Sequence, residues 1–340
     1  MHTGEYFLSR YILDDITTAE PDFHHLTPEV VISLVEGALG CRLRPICRSL
    51  NSYINRVYEL QRDDGVGLVA KFYRPGRWDF CALEDEHNFM RELSEAEIPV
   101  VAPLEMVFGG TLGEYKNTLF TVFPKKGGRT PDEFNHKQWL ELGRLVGRTH
   151  AIGAGSVAHN RINMSPITST YDQLQFLLNG NFISDDLISE FDDLFCHIID
   201  VIAPVFEGLE QIRIHGDLHF ANIIHRLDEG YFLIDFDDMC MGHPVQDFWM
   251  LLPGYQDETQ AEIESFLQGY ETFRNFDMRG LRLIEPLRIM RYIHYCCWCA
   301  HQVADGGFNR IAPGWGTRSY WRSEINDLQT QLNRIKNNLI

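Results

Sequence analysis

The sequence predicts an α+β protein with two lobes, a strand-rich lobe over residues 1–124 and a helical lobe over residues 125–340. Short apolar segments separated by Asn-Ser and Asp-Asp-Gly turns precede residue 124, and this pattern is typical of antiparallel strands. Long apolar patterns of helical periodicity follow it. A chain of 340 residues, of which 44% are hydrophobic, is also large enough for two lobes with a cleft between them.

The elements of the first lobe can be assigned in order. Residues 1–25 are mixed and acidic, and we expect a partly ordered extension there. A helix is predicted over residues 28–39, because Thr27 can cap it, Pro28 suits its first turn and Gly40 can end it. The other predicted elements are strands at 43–50, 57–61 and 67–73, a helix at 79–96, and strands at 107–108 and 119–123.

The second lobe begins after a Gly-containing crossover near residue 125, and helical patterns then dominate, the first of them at 134–152. A further apolar pattern at 281–303 predicts a buried helix that contains the C-x-x-C of Cys296 and Cys299. No second cysteine pair completes a zinc site, so buried, reduced thiols are favoured over a metal or redox role.

The most informative feature is the segment IHGDLHFAN at 214–222, followed by FLIDFDD at 232–238. In kinase-type sites an Asp receives or orients the proton of the attacking hydroxyl, and an Asn after four intervening residues binds magnesium. Asp217 and Asn222 have this spacing. Asp235 ends an apolar run that predicts a strand, and the polar residues before that run suit a tight turn, which would bring Asp235 beside Asn222.

The alternative is that these are ordinary loop residues, since Asp and Asn are common in solvated turns. The complete pattern is more specific, because it needs His-Gly-Asp, the Asn, an apolar strand and a terminal Asp in one order. It predicts a protein-kinase-like phosphotransferase that uses ATP and Mg²⁺. Asp217 and Asp235 are the predicted catalytic residues, and Asn222 and Asp235 are the predicted metal ligands.

The first lobe offers a cation for the phosphates of ATP. Lys71 lies in an otherwise apolar strand, and in kinases such a Lys holds the α and β phosphates while a Glu on the next helix fixes its position. Glu86 is the predicted partner and Glu84 the alternative. The competing interpretation is that Lys71 is a solvated residue at a strand end.

The hairpin at residues 50–58 is placed to cover the phosphates but lacks the G-x-G-x-x-G of ordinary protein kinases. Its donors would be backbone amides with the hydroxyl of Ser52 and the side-chain amide of Asn51 or Asn55. An ordinary β-turn without contact to ATP is the alternative.

Charge and hydropathy limit the possible partners. The net charge of −18, from 30 basic and 48 acidic residues, argues against nucleic acid, which is bound through Lys and Arg. The sequence has no run of about 20 apolar residues and no secretory leader, so we expect no membrane span and a cytoplasmic protein. We expect a monomer that binds ATP and an acceptor, either a protein or a small-molecule alcohol.

Several segments together resemble the bacterial stress response kinase A family. They are LNSY and NRVY at 50–53 and 55–58, KFYRP and RW at 71–75 and 77–78, HGD with His219 and Asn222 at 215–222, PVQDFWMLL at 244–252, and LIEPLR and MR at 283–288 and 290–291. This family is similar in fold to aminoglycoside and choline phosphotransferases. It is assigned serine/threonine protein kinase activity linked to envelope and oxidative stress and to protection from cell death.

The resemblance implies roles for individual residues. It implies Asp217 as the catalytic base and Ser52 as an ATP contact, together with the metal ligands and the Lys-Glu pair named above. Asp247 resembles the buried Asp that braces the catalytic loop in kinase folds. His215 is expected to pack beneath that loop, and His219 is expected to face the cleft, with a structural role for His219 left open.

Two departures from ordinary protein kinases leave the acceptor open. The usual Asp-Phe-Gly is Asp235-Phe236-Asp237, and the short segment before Asp247 leaves no room for a long activation loop. Asp237 and Asp238 could therefore hold a cationic small molecule. A serine/threonine kinase, a kinase of an amine-bearing alcohol and a pseudokinase without turnover are the three hypotheses, and the intact catalytic pattern counts against the third.

Overall fold

The computed structural model describes residues 23–52, 54–303 and 314–339. Most of the extension predicted over residues 1–25 therefore lies outside the described residues, as does Tyr53 in the hairpin after the first strand. The described chain contains both helices and antiparallel sheet, so the predicted α+β class is confirmed.

The first described helix, α1 (Pro28–Leu39), has the predicted limits. The side-chain oxygen of Thr27 caps it by accepting a hydrogen bond from the backbone N–H of Val30 at 3.4 Å. Gly40 follows the last turn and ends the helix. Val35 is fully buried and joins the helix to the apolar core of the neighbouring sheet.

A five-stranded antiparallel sheet with the order β1-β2-β3-β5-β4 forms most of the first lobe. Its strands are β1 (Leu43–Leu50), β2 (Arg56–Arg62), β3 (Gly67–Phe72), β4 (Gly113–Tyr115) and β5 (Thr118–Pro124). Lys71 lies on the central strand, opposite Val57 of β2 and Thr121 of β5. The sheet therefore holds Lys71 away from its edges.

The strand predicted at residues 107–108 is wrong. Val107 and Phe108 lie in a turn and are 65% and 62% exposed, respectively. The edge strand is β4, which pairs with β5 through Gly113 opposite Phe120. Two adjacent apolar residues are too short a pattern to distinguish a strand from an exposed turn.

Helix α2 (Phe80–Glu95) connects the sheet to the second lobe. Asp79 caps its start by accepting a hydrogen bond from the N–H of Ala82 at 2.8 Å. Phe89 is fully buried in the core of the second lobe, where its ring centroid lies 5.9 Å from that of Phe236. The division of the chain into two lobes between residues 124 and 125 stays a prediction, because α2 precedes this boundary in the sequence but packs against the core of the second lobe.

Helices form most of the second lobe. They are α3 (His136–Gly153), α4 (Tyr171–Asn179), α5 (Ile188–Ile202), α6 (Gln246–Trp249), α7 (Gln260–Tyr270), α8 (Ile284–Val303) and α9 (Arg318–Leu339). Two small antiparallel pairs join β6 (Ile212–Ile214) to β9 (Cys240–Gly242) and β7 (Ile223–Arg226) to β8 (Gly230–Leu233). No described helix has the length and apolar character needed to cross a membrane.

The C-x-x-C pair of α8 lies in the protein interior. Cys296 and Cys299 are buried, and both belong to the eight free cysteines of the chain. Burial raises the pKa of the Cys299 thiol to about 11, so it is protonated near pH 7 and a poor nucleophile or metal ligand. This agrees with the buried, reduced thiols that the sequence favours.

Glycines allow α3 and α7 to pack in direct backbone contact. A Cβ atom on Gly143 would lie 2.0 Å from the carbonyl oxygen of Phe266, and one on Gly269 would lie 2.1 Å from that of Leu140. Both contacts are with backbone, which cannot rotate away as a side chain can. This close contact between α3 and α7 matters for the predicted catalytic site, because α3 also carries His150.

We expect Gly143→Ala to lower the free energy of unfolding by at least about 1–3 kcal/mol, because the new methyl group must push α3 and α7 apart. The matched control is Gly37→Ala on α1, where a Cβ atom would meet nothing within 4 Å. It should be neutral or stabilising by about 0.5–1 kcal/mol. Urea unfolding of both variants checks this, and equal stability of the two would contradict the packing argument.

Candidate active site

The loop that carries Asp217 is held from below by a buried carboxylate. Asp247 accepts hydrogen bonds from the backbone N–H groups of His215 at 2.7 Å and Gly216 at 2.8 Å. His150 of α3 places Nε2 3.0 Å from the same carboxylate. Asp247 is 1% exposed, and these bonds agree with the bracing role expected for it.

The backbone of the loop also turns tightly against the segment after β8. Gly216 has φ +85°, and a Cβ atom there would lie 2.1 Å from the carbonyl oxygen of Asp238. His215 is fully buried, and its Nε2 lies 2.9 Å from the carbonyl oxygen of Ile234. Its ring packs on Phe236 with centroids 4.5 Å apart, as expected for a residue that packs beneath the loop.

Asp217 has a partly exposed side chain with two basic groups beside it. His219 Nε2 is 3.4 Å from Oδ2 of Asp217, and Arg291 Nη2 from α8 is 3.0 Å from Oδ1. Burial favours the neutral acid, but the hydrogen bond from His219 and the charge of Arg291 outweigh it and hold the pKa of Asp217 well below its usual range. The carboxylate is therefore ionised at neutral pH.

The hairpin of β7 and β8 brings the other two predicted residues together. The backbone N–H of Ile234 donates to the carbonyl oxygen of Asn222 at 3.1 Å, so Asp235 follows directly beside Asn222. Asn222 Nδ2 donates to the carbonyl oxygen of Asp217 at 2.9 Å. Asp235 has φ +60°, and its side chain is 53% exposed.

The donor set of Asn222 and Asp235 fits a hard divalent cation. Because Nδ2 of Asn222 is engaged, the polar atom that this amide still offers is its carbonyl oxygen. Asp235 adds a half-exposed carboxylate, and magnesium prefers such oxygen ligands. No described group of three His, Cys, Asp or Glu residues could hold a metal, so phosphate oxygens would have to supply further ligands.

Lys71 pairs with carboxylates that differ from the expected one. Its Nζ lies 2.8 Å from Oδ1 of Asp235 and 3.1 Å from Oδ1 of Asp237. Burial favours neutral Lys71, but these two carboxylates outweigh it and raise the pKa of the ammonium group above its usual value. The side chain is 7% exposed, so its charge depends on this pairing.

Glu86 does not form the expected ion pair with Lys71. Its Oε2 lies 3.5 Å from Nη1 of Arg161, and neither carboxylate oxygen has a hydrogen bond to a described residue. Burial raises the pKa of Glu86 to about 7, although the charges of Arg161 and Lys71 oppose the rise. Glu84, the alternative partner, is exposed. Asp237 occupies the place beside Lys71 that Glu86 was expected to fill.

Asp237 is the centre of a charge cluster that the sequence analysis missed. Arg77, from the loop after β3, donates Nη1 to Asp237 Oδ2 and Nη2 to Asp238 Oδ1, the latter at 2.6 Å. Asn55 Nδ2 donates to Asp237 Oδ2 at 3.1 Å. The expectation that Asp237 and Asp238 could hold a cationic substrate is therefore corrected, because Lys71 and Arg77 already pair with them.

Asn55 and Ser52, both in the hairpin, have different surroundings. The side chain of Asn55 bonds Asp237 and accepts a hydrogen bond from the backbone N–H of Arg74 at 3.0 Å, so its amide is not directed to a phosphate. Ser52 is half-buried, and its hydroxyl makes no hydrogen bond to a described residue. Ser52 thus stays a predicted ATP contact, while the alternative through Asn55 is disfavoured.

Sequence reasoning assigned no role to Arg77, Arg161 or Arg291. These residues lie far along the chain from the carboxylates they meet, so spacing carries no signal for them. One signal in the sequence could have pointed to a cationic partner. Asp237 stands where the usual Asp-Phe-Gly has Gly, and a buried Asp requires a partner for its charge. Asp237 is 5% exposed, and its basic partners provide that compensation.

Comparisons with known proteins support the same fold and chemistry. Residues 46–284 match the phosphotransferase enzyme family. Stress response kinase A of Escherichia coli (strain K12) is 35% identical over 304 residues, covering 88% of this chain and 90% of that protein. Serine/threonine protein kinase RdoA of Salmonella typhimurium (strain LT2) is 33% identical over 276 residues, covering 81% and 83%.

A solved structure of amicoumacin kinase hAmiN, in complex with AMP-PNP, Ca²⁺ and Ami, has a TM-score of 0.72 to this chain. The identity is 18%, and the match covers 89% of this chain and 93% of that one. It confirms the predicted fold of the aminoglycoside and choline phosphotransferase type. The chain therefore belongs to the phosphotransferase enzyme family, within the group that includes the stress response kinase A proteins.

Proposed function

We propose that this protein transfers the γ-phosphate of ATP to a serine or threonine hydroxyl of a protein, with magnesium as the metal, in a response to stress. The observation that carries the proposal is the convergence of Asp217, Asn222 and Asp235 on one side of the cleft, opposite Lys71. The names of the relatives, stress response kinase A and serine/threonine protein kinase, support the acceptor and the setting.

Asp217 would act on the acceptor. Its carboxylate is ionised and held on a braced loop, so it can orient the hydroxyl and take its proton. The hydroxyl oxygen forms a bond to the γ-phosphorus, the bond from that phosphorus to the β,γ-bridging oxygen breaks, and ADP leaves. The proton passes to Oδ1 or Oδ2 of Asp217.

Lys71, Asn222 and Asp235 would act on the nucleotide. Asn222 and Asp235 would hold the magnesium ion, which neutralises charge on the phosphates when bound. Lys71 now pairs with Asp235 and Asp237, and phosphate oxygens would add a further negative partner for its buried ammonium group. Ser52 would donate a hydrogen bond to a phosphate from the hairpin above.

A small-molecule alcohol is the second candidate acceptor. Amicoumacin kinase shares the fold. Between Asp235 and Asp247 the chain forms a turn, the short strand β9 and the start of α6, so no long activation loop is present to dock a peptide. Incubation with labelled ATP, magnesium and panels of proteins and amino-alcohols separates the two candidates. We also propose that the protein is cytoplasmic, because thiols stay reduced and ATP is present in the cytoplasm.

Asp217→Asn should reduce phosphotransfer by about 100- to 10,000-fold while ATP affinity changes little, because the proton acceptor is lost and the metal ligands remain. Transfer of labelled phosphate and the Kd for ATP measure the two effects. Asp185→Asn makes the same chemical change at an exposed position and should behave as wild type. Near-normal turnover by the Asp217 variant would place the base elsewhere.

Asp235→Ala should lose magnesium-dependent binding of ATP, because the proposed site then keeps one neutral protein ligand. The measurement is the rise in Tm that magnesium and ATP produce, compared with the rise produced by ATP with a chelator. Asp185→Ala is the control. If the magnesium-dependent part of the rise survived in the Asp235 variant, the ligand assignment would fail.

Ser52→Ala should weaken ATP binding or turnover by about 1–2 kcal/mol, the scale of one hydrogen bond to a charged group. Lys71→Ala should cost more, because it removes a cation from the phosphates and leaves Asp237 short of one buried partner. Ser49→Ala, an exposed position on β1, is the control. Unchanged KM and kcat in the Ser52 variant would show that the hairpin uses backbone amides alone or does not reach the phosphates.

A further inference from the structure

The acceptor side of Asp217 is basic. Arg291, on α8, places its guanidinium 3.0 Å from Oδ1 of the carboxylate, and its side chain is 36% exposed. A guanidinium has five N–H donors, and that of Arg291, although it forms an ion pair with Asp217, makes no hydrogen bond to a described residue. It therefore has donors left for a ligand that enters beside Asp217.

His294 lies one turn farther along α8 and belongs to the same side of the cleft. Its Nδ1 is hydrogen-bonded to Nε2 of Gln173 at 2.8 Å, which fixes the ring. Burial, together with the nearby charge of Arg291, lowers the pKa of His294 to about 4, so the ring is neutral at pH 7. Arg291 is thus the charged group that α8 presents to Asp217.

The carboxylates that a cationic acceptor would need are already paired. Asp238 receives Arg77 at 2.6 Å, and Asp237 receives both Arg77 and Lys71. Asp217 itself faces Arg291. An ammonium group placed next to the reacting hydroxyl would approach the Arg291 guanidinium, and the repulsion between like charges would oppose its binding.

We propose that the acceptor carries a carboxylate or phosphate close to its reacting hydroxyl, and that Arg291 binds this anion. The inference rests on the proposed phosphotransfer and concerns which acceptors that site takes. A planar guanidinium matches such anions with two parallel hydrogen bonds. An acidic segment of a protein and a small hydroxy acid both have this chemistry.

Two sets of acceptors test the proposal with the full-length protein, labelled ATP and magnesium. The first set is a serine peptide flanked by Asp, the same peptide flanked by Asn, and the same peptide flanked by Lys. The second set is glycerate, glycerol and ethanolamine. The set that accepts label shows whether the source of the anion is a peptide or a small molecule. We expect kcat/KM to be about tenfold or more higher for the anionic member than for the cationic one.

Variants of Arg291 connect that preference to the residue. Arg291→Gln should remove most of the preference, Arg291→Glu should reverse it, and Arg291→Lys should retain part of it, because charge but not the planar fork is kept. The matched control is Arg322→Glu on α9, whose side chain pairs with Glu190 at the surface, and it should leave the preference unchanged. The Tm and ATP affinity of each variant establish that it is folded.

The outcomes separate the inference from the function on which it rests. Label transfer with the same acceptor preference in wild type and in folded Arg291→Gln would overturn the inference and leave phosphotransfer intact. A wild-type preference for Lys-flanked peptide or ethanolamine would overturn it as well. A failure to label any acceptor in either set would count against the proposed function and the inference together.

Discussion

One buried carboxylate, Asp237, joins the two lobes and sets the position of the cleft. It meets Lys71 from the central strand, Arg77 from the following loop and Asn55 from the hairpin, all of which belong to the first lobe. A buried charge is tolerated only when it has partners of opposite charge, and removing one member of a buried pair typically costs about 3–5 kcal/mol of stability. The sheet above the cleft is therefore tied to the strand end that carries Asp235.

A second buried carboxylate fixes the loop below the cleft. Asp247 holds two backbone N–H groups of the loop and contacts His150 of α3, and α3 is itself locked to α7 by backbone contact at Gly143. Asp217 thus depends on packing well outside the site. Such support matters for phosphotransfer, because the protein contributes positioning and electrostatics rather than covalent chemistry.

The local field of the cleft differs from the charge of the whole molecule. The chain carries a net charge of −18, yet Asp217, Asp235, Asp237 and Asp238 each have a Lys or Arg nitrogen within about 3 Å. Net charge therefore does not describe the acceptor. The shared fold does not identify the acceptor either, since specificity resides in the side chains placed on that fold.

The sequence by itself determined the local chemistry: the spacing of Asp217 and Asn222, the turn that returns Asp235 to them, and the alternation of strands and helices. These features depend on residues close in the chain, where turn chemistry and periodicity act directly. The tertiary structure alone decided that Lys71 meets a carboxylate 164 residues away and that Arg291 of α8 faces the predicted base. Several carboxylates and arginines could form such pairs, and packing of distant elements selects among them because burial penalises every charge that is left without a partner.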